Sequence, residues 1–306
     1  MKNIKNPIHI REYIIAISVG VILLILGNFF DYDLSVKLFN PNDPSTFGVI
    51  MSGICELPVC FCLAFGGSLL IIGRDKNSKV TSILSFAFGI LAMAFSLFYT
   101  YKTFKDIDYF NKHTLVINIL GVVFSLIFNG AVIAFTFYKF RKYNDLRKLF
   151  VIGFYLIIFV ALVALIATLC KYLWSRPRPR YIFNEFDSRD LFHDVWILDP
   201  FKALTVSKGD NFKSFPSGHT TYAATAMFVL PLLPLLSNNE KEDKKINIIL
   251  FYIGVAWTLL SALSRIYVGA HFLSDVAFGM IISSSCGLLI NKIMFRNENK
   301  QEIGKA

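Results

Sequence analysis

Eight stretches of the chain are each apolar for long enough to cross a membrane: 13 to 30, 49 to 73, 80 to 104, 114 to 140, 149 to 174, 220 to 237, 246 to 269 and 272 to 295. A helix rises about 1.5 Å per residue and the hydrocarbon core is about 30 Å thick, so runs of this length leave few ways to fold in water. Composition agrees, with 55% hydrophobic and 17% charged residues and a mean hydropathy of +0.56, too apolar for a soluble domain of ordinary surface. The expected fold class is therefore all-α, a polytopic membrane bundle of about eight transmembrane helices. The first run follows Lys2, Lys5 and Arg11 with no small-residue cleavage site after it, and it reads as a retained signal anchor.

The five cysteines, Cys55, Cys60, Cys62, Cys170 and Cys286, all fall inside apolar runs. An odd number with no polar loop to bridge does not suggest a disulfide framework, and buried small hydrophobes fit better. The net charge of +10 comes without a basic face interleaved with aromatics, so no nucleic-acid partner is expected. Charge instead follows topology. Eighteen of the 31 Lys and Arg residues lie in the amino terminus, 74 to 79, 139 to 148, 238 to 245 and the carboxyl terminus. That bias predicts both termini cytoplasmic in a plasma-membrane protein. One short connection, 100 to 113, disagrees with Lys102, Lys105 and Lys112 on the opposite side.

Two connections are long, 31 to 48 and 175 to 219, and the second is a polar segment inside an otherwise tight bundle, as functional loops often are. No inverted repeat with paired broken spans supports a transporter. Glu56, followed by Pro58, is an ionisable residue within the second run, which makes it a functional candidate as well as a candidate structural carboxyl.

Four helix ends carry the remaining polar motifs, and the predicted topology brings them to the external face. The fifth run ends in Lys171 and the Arg176-Pro177-Arg178-Pro179 stretch; the sixth opens with Pro216-Ser217-Gly218-His219; the seventh ends in Ser264-Arg265; the eighth begins with His271 and Asp275. Lys171, Arg178 and Arg265 supply fixed positive charge and forked donors suited to a tetrahedral dianion. Ser217 and Gly218 open a helix whose amides and dipole favour an anion, and glycine permits its close approach. His271 and Asp275 are four apart on one helix face, so the carboxylate is expected to hold the far N–H of the imidazole. His219 is then placed to protonate a leaving oxygen. Glu56 and Arg176 are accessory candidates. No metal and no cofactor are expected, because no cluster of ligand spacing lies nearby.

The spacing Lys-x6-Arg-Pro (Lys171 to Pro179), Pro-Ser-Gly-His (Pro216 to His219) and Ser-Arg-x5-His-x3-Asp (Ser264 to Asp275) resembles the three-part signature of the type 2 phosphatidic acid phosphatase superfamily. Arg178, not Arg176, keeps that spacing from Lys171. The resemblance implies that His271 forms a phosphohistidine, Asp275 orients it and His219 is the general acid. It further implies that Lys171, Arg178, Ser217, Gly218 and Arg265 bind phosphate. It also implies a six-helix phosphatase core, here 76 to 296, with 1 to 75 as an added amino-terminal pair and 297 to 306 as a cytoplasmic tail. Soluble haloperoxidases that hold vanadate share the signature, and eight spans argue for a lipid-facing member.

The function expected on this basis is hydrolysis of a lipid phosphate or diphosphate such as phosphatidate, phosphatidylglycerophosphate or a polyprenyl (undecaprenyl) diphosphate. A phosphotransferase passing the phosphoryl group to an alcohol, and a channel or carrier with an anion site, are the alternatives. Within 181 to 215, the apolar stretch from Leu191 to Leu198, with Phe192 and Trp196, is expected either to cover the site as an interfacial lid or to pack as a plain connection.

Overall fold

The computed structural model describes residues 6–43, 45–107, 114–185, 189–236 and 244–296. Lys2, Lys5, Lys112, Lys241 and the tail 297–306 lie outside the described residues. Among those described, secondary structure is helical, with no strand.

Among the described residues, seven helical segments are long and apolar enough to cross a membrane. They are α1 (Ile10–Leu38), α2 (Thr46–Ile54) running into α3 (Leu57–Ile72), α4 (Lys79–Lys105), α5 (Thr114–Phe140), α6 (Leu146–Trp174), α11 (Lys244–Tyr267) and α12 (Leu273–Met294). Between α6 and α11 lie the short α7 (Pro179–Glu185), α8 (Lys202–Thr205), α9 (Gly218–Ala223) and α10 (Ala226–Val229).

The sixth predicted run, 220 to 237, is helical in path but broken over its described residues. It comprises α9, α10 and two 3-10 turns at Leu230–Leu232 and Pro234–Leu236. Pro231 and Pro234 lack the N–H groups a continuous α-helix would use. Ala223, Ala224, Met227, Phe228, Val229 and Leu232 are buried, so this irregular backbone is enclosed by protein, the setting in which it is tolerated at membrane depth. A second break separates α2 from α3 at Cys55 and Glu56, where Pro58 lies in the first turn of α3. The indole of Trp257 donates to the Cys55 carbonyl at 2.9 Å and satisfies it there.

The bundle turns apolar side chains outward as well as into its core. Large apolar side chains stand exposed along α1, α4 and α5, for example Phe29, Phe88 and Ile127, whereas Ser96, Thr100, Ser125 and Asn129 are buried. Ser96 Oγ lies 2.7 Å from the Cys60 carbonyl and 2.6 Å from Asn129 Oδ1, its one proton shared between them, and Asn129 Nδ2 donates to Thr100 Oγ1. Small and hydrogen-bonding residues are what hold helices together where lipid is as apolar as leucine.

Helix α3 is the axis. In the most apolar stretch of the α2–α3 segment 78% of the residues are buried, against 22% in those of α1 and α4. Its Gly66 and Gly67 explain the depth: a Cβ on Gly67 would sit 2.6 Å from the Gly89 carbonyl of α4, and one on Gly153 of α6 would sit 2.6 Å from that of Gly66. The backbones meet because no side chain intervenes. The residue-75 boundary expected from the resemblance is therefore no break in packing, since α3 lies against α4, α5 and α6 and α1 lies along α12.

Candidate active site

The predicted helix ends meet at one end of the bundle. Lys171, Arg178, Gly218, His219, His271 and Glu56 line one cavity of about 260 Å³. Tyr99, Lys102, Asp106, Lys213 and Tyr222 complete much of the wall.

Local sequence explains how α6 delivers its cations. The helix stops at Ser175, whose φ of 41° lies in the left-handed region, and two prolines then hold residues 176 to 178 out of helix. The two arginines consequently part. Arg178 enters the cavity wall: its Nε donates to the Asp210 carbonyl at 2.9 Å, and one terminal nitrogen lies 3.1 Å from the Ala270 carbonyl and 3.4 Å from His271 Nε2. Arg176 is fully buried behind the site, between Asp31 at 3.0 Å and Asp275 at 2.7 Å, with Ser274 Oγ and the His193 carbonyl as further acceptors. The rings of Phe272 and Phe192 lie 4.3 and 5.4 Å from its guanidinium carbon. A buried charge with so complete a set of partners is a structural tie, not a substrate ligand.

His271 departs from the expected pairing. Its Nδ1 lies 2.6 Å from the Ser214 carbonyl and 3.8 Å from Asp275 Oδ2. A carbonyl only accepts, so Nδ1 carries the proton and Nε2 presents its lone pair to the cavity, where the Arg178 guanidinium is a donor. Asp275 acts one step removed. Its Oδ2 accepts from Ser214 Oγ at 2.5 Å and from the Phe272 amide at 2.8 Å, fixing the loop that fixes the imidazole. Burial, reinforced by the charges of Arg178 and Lys171, lowers the pKa of His271 well below its ordinary value despite Asp275. The imidazole is neutral at neutral pH.

His219 has carboxyl groups at both nitrogens, Asp106 Oδ2 at 3.2 Å from Nε2 and Glu56 Oε1 at 3.7 Å from Nδ1. Burial would raise the Asp106 pKa, but the hydrogen bond and charge of His219, with Arg265 and Lys102, outweigh it and lower it overall. Gly218 admits Lys171: a Cβ there would sit 3.3 Å from the Lys171 ammonium.

Two predicted phosphate ligands face elsewhere. Arg265 donates to the Gly48 carbonyl at 2.6 Å and Ser52 Oγ at 2.7 Å, pinning α2, and does not line the cavity. The nearby α2 acceptors capture its fork. Ser217 is fully buried and its hydroxyl caps α9, accepting from Thr220. Phe192 likewise is no cover over the site, because it packs edge-on against Tyr32 and Phe272.

Asp31, Asp106 and Ser214 escape sequence reasoning. Asp31 was open to detection, since a carboxylate at the end of an apolar helix is as anomalous as Glu56. No short-range pattern marks Asp106 or Ser214.

Comparison with known proteins follows the same residues. Residues 148–299 match the model of the PAP2 superfamily. A phosphatidylglycerophosphatase B of Haemophilus influenzae is 31% identical over 124 residues, 40% of this chain and 45% of the relative. A lipid A 4'-phosphatase of Porphyromonas gingivalis is 26% identical over 164 residues, 53% of this chain and 58% of the relative. A phosphatidylglycerophosphatase B of Bacillus subtilis is 35% identical over 82 residues, 25% and 35% of the two chains. The chain thus spans only part of the length of these relatives, between 35% and 58%. No solved structure matches it.

Proposed function

The chain belongs to the type 2 phosphatidic acid phosphatase superfamily through residues 148–299, and from that premise we propose that it is a membrane phosphatase hydrolysing lipid phosphates or diphosphates through a phosphohistidine on His271. The observation that carries this reading is the tautomer of His271, with Nδ1–H bound to the Ser214 carbonyl and Nε2 turned to the cationic cavity.

In the first step Nε2 attacks phosphorus in line with the lipid oxygen. An N–P bond forms, the P–O bond to the lipid breaks, and His219 gives its proton to the departing oxygen. In the second step water attacks phosphorus with His219 as base, the N–P bond breaks, and inorganic phosphate leaves. Lys171 and Arg178 hold the equatorial oxygens while charge spreads over them. The site lies at the external face on this reading, because the short loops at the opposite end carry the basic excess. A phosphate-release panel on purified protein tests it, with phosphatidate, phosphatidylglycerophosphate, a polyprenyl diphosphate and a soluble sugar phosphate. Phosphate from none of them would overturn it.

Because side chains supply the positive charge, activity should survive a metal chelator, and orthovanadate should inhibit by forming a trigonal bipyramid on His271. A loss in chelator that magnesium restores would refute the expectation.

The segment after α7 presents Trp196, Ile197, Leu198, Phe201 and Leu204, each between 45% and 65% exposed. It is tied to the end of α6 by Trp174 Nε1 to the Val195 carbonyl and by the Phe201 amide to the Tyr172 carbonyl. Such a strip suits headgroup depth. Replacing Trp196 and Phe201 by alanine should raise KM for a long-chain lipid phosphate and leave hydrolysis of a soluble monoester nearly unchanged. Equal losses on both would show a purely structural strip.

A further inference from the structure

The cavity is lined by both cations and carboxyl groups. Lys171, Arg178 and Lys213 stand on the side of α6 and the loops leading to His271, with Arg178 3.4 Å from Nε2. Across from them, α4 and the α2–α3 break bring Asp106 and Glu56 to the two nitrogens of His219, at 3.2 and 3.7 Å. The cations near this second side have other partners, the Lys102 ammonium 5.5 Å over the Tyr99 ring and Arg265 bonded to Gly48 and Ser52, while their charges still favour the ionised form of Asp106. His219 is the imidazole that protonates the leaving oxygen, so whatever leaves must pass between these two carboxyl groups and compete with Asp106 for the proton on Nε2.

We propose that Glu56 and Asp106 are specificity-determining residues that make the enzyme favour phosphate monoesters, with an uncharged leaving alcohol, over diphosphates. This assignment rests on the phosphatase reading and the roles given to His271 and His219. A monoester places its charge on the transferred phosphoryl group, among the cations, and sends a neutral alkoxide-turned-alcohol toward the carboxyl groups. Its hydroxyls find acceptors there. A diphosphate cleaved at its terminal phosphorus sends a second phosphate, carrying its own negative charge, into the same place. A charge within roughly 4–6 Å alters an ionic equilibrium by about tenfold or more, and two carboxyl groups at a confined site act in the same direction.

The test uses two lipids that differ only on the leaving side, a polyprenyl phosphate and the diphosphate of the same chain length, presented to the full-length protein in detergent. Wild type should favour the monophosphate in kcat/KM by about tenfold or more. Glu56→Gln and Asp106→Asn should each lower that ratio, and the double variant should lower it most, even where absolute rates fall. A wild type that prefers the diphosphate overturns the proposal, and so does an unchanged ratio in both single variants. If the variants lose all turnover, the wild-type ratio alone decides. Release of phosphate from neither lipid by wild type would instead remove the phosphatase reading, and this inference with it.

Discussion

Replacing His271 by alanine is expected to cut phosphate release by on the order of 10⁶-fold and to abolish any phosphoenzyme trapped by acid quench, a loss of the size seen when a nucleophile is deleted. Replacing His219 should cost less, about 10²–10⁴-fold, the range of a lost general acid. An activated ester such as a nitrophenyl phosphate should rescue the His219 variant and leave the His271 variant dead. The opposite pattern would show that the roles are exchanged. The same imidazole sets the acid limb of activity. Burial beside Arg178 and Lys171 keeps His271 unprotonated as pH falls, so kcat/KM for the free enzyme should hold below pH ~6.5, where an ordinary histidine gains its proton. A limb at or above that value would mean that the nucleophile is solvated or paired with a carboxylate.

The sequence marks those positions because each lies at the end of an apolar run, where a polar side chain must either serve the interface or serve a site. The positions of Lys171, Arg178, Gly218, His219 and His271 were legible for that reason, and they line one cavity. Orientation was not. Arg265 sits in a motif that the resemblance assigns to phosphate, yet its guanidinium meets Gly48 and Ser52, more than two hundred residues earlier in the chain. The four-residue spacing of His271 and Asp275 suggested a direct bond. In the structure the loop carbonyl of Ser214 takes the Nδ1 proton and Asp275 holds Ser214. Asp31 was lost to a boundary: the apolar run stops at Phe30, whereas α1 continues to Leu38 and carries the carboxylate inward to Arg176. The broken path of 218 to 236 has its cause in plain view at Pro231 and Pro234. Hydropathy averages across them and so reads a single span.

Arg176→Ala is expected to be the most damaging change outside the cavity. The side chain has no exposed surface and ties Asp31 of α1 to Asp275 and Ser274 of α12. Its removal leaves two buried carboxylates without their counter-charge, and breaking a buried ion pair from one side destabilises by about 3–5 kcal/mol. Thermal unfolding in detergent should register that loss, and Arg176→Lys should recover only part of it, because one ammonium cannot span acceptors that a planar fork reaches together. Activity should fall even where the protein is still folded, since Asp275 would lose the partner that fixes its Oδ1 while Oδ2 positions Ser214. A distinct signature separates positioning from mere support. Asp275 Oδ2 lies 3.8 Å from His271 Nδ1, and its negative charge, no longer offset by Arg176, would favour the imidazolium form. The acid limb of kcat/KM should therefore move to higher pH in Arg176→Ala. Asp31→Asn, which leaves the Arg176–Asp275 pair in place, should lower stability with little movement of that limb. An Arg176→Ala protein that unfolds earlier but keeps the wild-type pH profile and kcat would show that the tie to α1 supports the bundle alone.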